Sequence, residues 1–145
     1  MSIKLNIDGF EEMIKKIEKT GGSVDGAVRK CLENSAVVVE NEIKAQMQSS
    51  DTTGNISRLI ARMPSYEIQN DFGRITARVG FKKGEYDPKN PSDGYKAVFL
   101  NYGTPRRSKH GKIQPRGFIN RAKQKARPKV KRIQLKTFEE ILRGL

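Results

Sequence analysis

Apolar positions near the start of the chain first alternate and then take up helical spacing. Ile3, Leu5 and Ile7 alternate with polar residues, which predicts a short strand. Phe10, Met13, Ile14 and Ile17 follow at helical spacing, with Asp8 as a candidate cap and Gly21 and Gly22 as the stop. Ser23 is a good N-cap for a second, longer helix. Its stripe runs through Val24, Ala27, Val28, Cys31, Leu32, Ser35, Val38, Val39 and Ile43, the i, i+3, i+4, i+7 pattern of an amphipathic helix. Cys31 lies on that stripe and reads as a small buried hydrophobe rather than a nucleophile.

Residues 49–55 read as a turn or loop. Ile56, Leu59, Ile60 and Met63 fit a short helix that Pro64 stops. Tyr66 and Ile68, a turn N-D-F-G at 70–73, and then Ile75, Ala77, Val79 and Phe81 in alternation predict a β-hairpin. The stretch 82–94 has two Pro and two Gly and no periodicity, so a long loop is expected there. Tyr95, Val98, Phe99 and Tyr102 restart a helical pattern that Gly103 ends. A basic loop, 105–114, comes next, and Pro115 suits the first turn of a helix. From there Phe118, Ile119, Ala122, Ala126, Val130, Ile133, Phe138, Ile141 and Leu142 lie near one face, interrupted by Pro128, which either kinks one helix or separates two. The pattern predicts an α+β fold: a small antiparallel β-sheet packed against two or three amphipathic helices, with a long C-terminal helix, in one domain over 1–145.

Composition narrows the chemistry. With 145 residues, 35% hydrophobic and 31% charged, and no Trp, the core is lean. No apolar run approaches the ~20 residues of a membrane span, so no membrane partner is expected. The acidic start, D-G-F-E-E-M at 8–13, is unlike a secretory leader, so export by that route is not expected. One cysteine excludes an internal disulfide and a multi-cysteine zinc site, and one histidine, His110, excludes most His-based metal centres. Phosphate-binding glycine loops and a G-x-S-x-G elbow do not occur. Glu85, Asp87 and Asp93 lack the alternation of a Ca²⁺ loop. His110 sits between Lys109 and Gly111 with no acid nearby in sequence to orient it as a general base, and reads as a solvated loop histidine. No catalytic residue, cofactor or metal site is expected.

Charge is concentrated. Residues 1–50 hold seven basic and eight acidic side chains. Between Thr104 and Phe138 there are thirteen basic residues and no acidic one, which equals the whole net charge of +13. Such a segment has three readings: a solvated helix face with a disordered loop, contact with nucleic acid, or docking against an acidic protein neighbour. Phe118, at a core-like position, is its one aromatic before Lys136, which weakens base stacking and leaves backbone contact open.

The segment 96–126, K-A-V-F-L-N-Y-G-T-P-R-R-S-K-H-G-K-I-Q-P-R-G-F-I-N-R-A-K-Q-K-A, resembles the tail-completion, or head–tail joining, proteins of long-tailed bacteriophages and prophages. Phe99, Tyr102, Gly103 and Thr104 match the family's aromatic-Gly-Thr turn. Arg106, Arg107, Lys109 and Lys112 match its basic loop, and Pro115, Phe118, Ile119 and Ala122 its helix start. Asn101 departs from the pattern, since relatives often carry an acid there. The resemblance implies a structural, non-enzymatic virion protein, assembled in the bacterial host cytoplasm. It would form a ring of copies of itself at the head–tail interface and dock loops onto head-completion or connector proteins and tail-tube or tail-terminator proteins. Tyr102, Gly103, Thr104, Arg106, Arg107, Lys109, Lys112 and Arg116 are the expected partner-binding residues, and contact with packaged DNA is compatible with their charge. Loops 49–55, 82–94 and 105–114 are expected to be mobile in the free protein, and 82–94 and 105–114 to order on docking. The alternative is a small basic nucleic-acid-binding protein using 104–136. A toxin-like or nuclease domain lacks the acid cluster or paired histidines it would need.

Overall fold

The computed structural model describes residues 1–49, 55–82, 92–103 and 115–145. Alternation at the start becomes β1 (Ser2–Leu5), with Ile3 and Leu5 buried and Ser2 and Lys4 exposed. The predicted hairpin is β2 (Glu67–Asp71) and β3 (Arg74–Gly80). All pairing is antiparallel in the order β1-β3-β2, with Ile3 opposite Val79 and Ile68 opposite Ala77. Phe72 and Gly73 form the two-residue connection, with φ of 53° and 85°. Positive φ at both positions is what a type I′ hairpin turn requires, and it matches the twist of the strands. The Gly73 N–H donates to Asn70 Oδ1 at 3.0 Å, closing the turn, and Phe72 stands fully in solvent.

Four further elements surround a long helix. They are α1 (Glu11–Lys19), α3 (Asn55–Ala61), α4 (Asp93–Tyr102) and α5 (Phe118–Arg143), and the long one is α2 (Val24–Ser49). Ser23 caps α2 as expected, its Oγ accepting from the Gly26 N–H at 3.1 Å. The helix is about 39 Å long at 1.5 Å per residue. The expected stripe also takes in Glu42 and continues beyond Ile43 through Gln46 and Met47. One side of that stripe meets the sheet face formed by Ile3, Leu5, Ile75, Ala77 and Val79. Another side meets α5, which runs antiparallel to it: Cys31 lies against Gln134 near one end and Gln46 against Arg121 near the other. Small side chains (Ser35 and Ala36 on α2, Ala122 and Ala126 on α5) are buried there and permit close approach. Ile17, Ala27, Cys31 and Phe138 form a second apolar cluster, which pins α1 onto the far ends of α2 and α5. The architecture is α+β with a long C-terminal helix, as the pattern predicted.

The details differ in places, each for a local reason. Asp8 does not cap α1. Gly9 turns the chain at φ 85°, and Phe10 takes the N-cap position with its ring 5.2 Å from that of Phe138. Burying that ring outweighs a side-chain cap. Pro115 is not in the first turn of α5, which begins at Phe118 after a left-handed Gly117 (φ 57°). Pro128 does not divide the helix. It lies on the exposed side, where the Gln124 carbonyl that loses its helical donor can reach solvent. In α4 the fully buried positions are Gly94, Ala97 and Asn101, while Tyr95, Val98 and Phe99 are half-buried and Tyr102 is exposed. The expected loops 49–55 and 82–94 are trimmed, since Ser49 ends α2, Asn55 begins α3 and Asp93 begins α4. Their interiors, 50–54 and 83–91, lie outside the described residues.

Candidate partner-docking site

The expected docking elements meet the described structure at the two ends of the basic loop. On the incoming side α4 ends at Gly103, whose φ of 78° suits a residue without a side chain and whose N–H donates to Phe99 O at 2.8 Å. On the outgoing side the chain returns onto that same helix end. The Arg116 N–H donates to Leu100 O and the Gly117 N–H to Asn101 O, both at 3.0 Å. Asn101 completes the junction: it is buried, and its Oδ1 accepts the Ile119 N–H at 3.0 Å. Two of α4's last carbonyls are therefore satisfied by the segment leading into α5, and one of the first amides of α5 by a side chain of α4. The Arg121 guanidinium reinforces the return by donating from Nη1 to the Arg116 carbonyl.

That junction extends as a polar chain between α2 and α5. Arg121 Nε donates to Gln46 Oε1 at 3.2 Å, and Gln46 Nε2 donates to Glu42 Oε1 at 3.2 Å. Lys129 Nζ closes on Glu42 Oε2 at 2.8 Å. The Lys129 ammonium holds the Glu42 carboxyl below its ordinary range, against an opposing push from burial, with Gln46 and the charge of Lys125 helping. A buried glutamate costs stability when left alone and is tolerated when so many donors converge on it. At the start of α4, Arg62 Nε donates to both Asp93 oxygens at 3.2 Å, tying that end to the segment after α3.

The expected partner-binding residues fall into two groups. Tyr102 is exposed, Gly103 forms the turn, and Arg116 has its backbone engaged as above. Thr104, Arg106, Arg107, Lys109 and Lys112 lie outside the described residues, as does His110. The residues that fix the junction (Asn101, Arg121, Gln46 and Glu42) were not among those expected. Glu42 and Gln46 did leave a trace: they are polar residues in phase with the buried positions Ser35 and Val39, and a polar group in a buried phase needs a partner.

Cys31 is fully buried, and burial pushes its thiol up to about 12, far from a reactive thiolate. Among the described residues no cluster of His, Cys, Asp or Glu could hold a metal ion, and no helix is long and apolar enough to cross a membrane. A cavity of about 300 Å³ opens beside the sheet edge near Ser2, Glu67, Gln69, Arg78 and Lys82. Its charged side chains are partly neutralised by a Lys82–Glu67 pair at 3.8 Å.

Comparison with known families gives a match over residues 11–103, more than half of the chain, to the HK97-gp10-like family, described as Bacteriophage HK97-gp10, putative tail-component. The chain belongs to this family. Membership gives it a structural role as a phage tail component and a place in the virion. The resemblance read from the sequence is thus supported at the level of phage tail assembly. The matched region runs from the start of α1 to the Gly103 turn, so the basic loop and α5 lie beyond it. Comparisons with curated proteins and with solved structures find no match.

Proposed function

We propose that this tail component is a tail-completion, or head–tail joining, protein: a non-enzymatic part of the neck that forms a ring of copies of itself between the filled head and the tail. Its family membership over residues 11–103 carries the reading. The helix junction supports it further. A docking loop needs a rigid root so that ordering its tip on a partner is not offset by loosening its base. On either side of the expected loop 105–114, the described chain is clamped at neighbouring points by the Leu100, Asn101, Arg116, Gly117 and Ile119 hydrogen bonds. Tyr102, exposed at that root, supplies an amphipathic ring of the sort that anchors protein interfaces. Tyr102, Gly103, Thr104, Arg106, Arg107, Lys109, Lys112 and Arg116 then form the contact set toward connector and tail-tube or tail-terminator proteins. Loop 82–94 supplies a second contact. Assembly takes place in the host cytoplasm. Electron microscopy of virions carrying an epitope-tagged copy tests the placement: label at the neck is expected, and label along the tail shaft or absent from particles would overturn it.

A further inference from the structure

From the outward face of α5, we infer that this helix binds the phosphodiester backbone of double-stranded nucleic acid. Of its cations, Lys129 is engaged by Glu42 and Arg121 holds the loop root, while Lys125 is exposed and acts on the same carboxylate only through its charge. Five others, Lys123, Arg127, Lys131, Arg132 and Lys136, are exposed, and none takes part in an ion pair among the described residues. Lys123, Arg127 and Lys131 follow one another at i, i+4, and Arg132 and Lys136 do the same on the other flank. Like charges at that spacing repel along a helix. A face kept only for solubility would intersperse acids, yet α5 has none before Glu139. The five span about 20 Å of helix at 1.5 Å per residue, which is the length of about six base pairs.

The chemistry of the face selects the partner. A protein neighbour is met through a desolvated apolar or aromatic centre, and lysine is depleted there. On this face the one exposed large hydrophobe before the C-terminal residue is Leu135, no aromatic is present, and lysines predominate. Aromatics are also what a single-strand binder stacks bases on. A lysine-rich, aromatic-free helix suits sequence-independent contact with duplex phosphates. This inference names a partner for the helix beyond the docking loop. It is measured on purified protein, so its failure leaves the neck placement standing, and the converse.

The test is a salt series of binding to a 30-base-pair duplex of arbitrary sequence, followed by fluorescence anisotropy with the full chain. Five phosphate contacts predict a slope of about −4.5 in log K against log salt, or roughly 500-fold weaker binding at 200 mM than at 50 mM. The variant with Lys123→Gln, Arg127→Gln, Lys131→Gln, Arg132→Gln and Lys136→Gln loses repulsion and keeps its fold, checked by circular dichroism. It should lose at least tenfold in affinity at 50 mM and most of the slope. In the unmodified protein, duplex should protect Lys123, Lys131 and Lys136 from reductive methylation, a readout that needs no variant. Absence of binding at 50 mM overturns the inference. So does unchanged binding by the folded variant, or displacement of duplex by polyglutamate at equal charge, which would mark an acidic protein surface as the partner.

Discussion

Replacing Asn101 by Ala removes one hydrogen bond, and its consequences can be worked out from the junction. The Asn101 Oδ1 acceptor lies 3.0 Å from the Ile119 N–H, and the two residues are only 2% and 4% exposed. Losing a helix cap costs about 1 kcal/mol. Leaving a buried N–H without a partner costs about 1–3 kcal/mol. These describe the same bond seen from its two ends, so they are not added, and about 2 kcal/mol is expected. That is a substantial part of the roughly 5–15 kcal/mol holding a domain of this size, and it corresponds to about 4–8 °C in Tm. Urea denaturation gives the global loss, and hydrogen exchange at the Ile119 amide gives the local one. Asn101→Asp keeps the acceptor; its charge is favoured at the start of α5 and disfavoured at the end of α4 and by burial, so it should retain the cap and lose less than Ala. The acid that the sequence resemblance leads one to expect here would make the same cap. An Asn101→Ala protein within about 0.5 kcal/mol of the original, the usual range for a substitution away from any such feature, or an Asp variant as impaired as the Ala one, would refute the view that this side chain holds the loop root.

Three further outcomes follow from the interior. Glu42 has its folded-state pKa depressed by Lys129, so its stabilisation is present above its ordinary value of 4.5 and is lost as pH falls from there through the lower folded value; urea midpoints across pH 3–7 should show that fall, and Glu42→Gln should flatten it. Cys31, buried with its thiol pushed up to about 12, should resist iodoacetamide at pH 8 until urea unfolds the chain, and rapid labelling of the native protein would contradict its placement between α2 and α5. Pro128→Ala restores a donor to the Gln124 carbonyl on the exposed side of α5 and should stabilise the protein by about 1–3 kcal/mol in urea; a loss would mean that packing along α2 depends on the proline.

The elements were legible where periodicity and burial coincide. Ile3 and Leu5, the Ser23 cap with the α2 stripe, and the hairpin around Phe72 and Gly73 all follow from local rules that tertiary contacts reinforce. α4 was legible as a helix but not in its orientation. Its apolar residues Tyr95, Val98, Phe99 and Tyr102 suggested the buried face, whereas the small residues Gly94 and Ala97, together with Asn101, are the ones closed off. Close approach selects small side chains, and a hydropathy pattern does not register that. The start of α5 was misplaced for a related reason. Pro115 favours a helix start locally, but the Arg116 and Gly117 amides are spent on carbonyls of α4, a contact between segments distant in sequence. The charge of 104–136 was plain from the sequence. That Lys129 and Arg121 are occupied inward while five neighbours are not required the positions of Glu42, Gln46 and the Arg116 carbonyl.

The central claim, that the basic loop is the grip of a neck protein, is tested most directly by assembly in a host carrying the phage with Arg106, Arg107, Lys109 and Lys112 all replaced by Ser. The account predicts filled heads and finished tails accumulating apart, with the variant still folded. Infectious particles at the normal yield would contradict it.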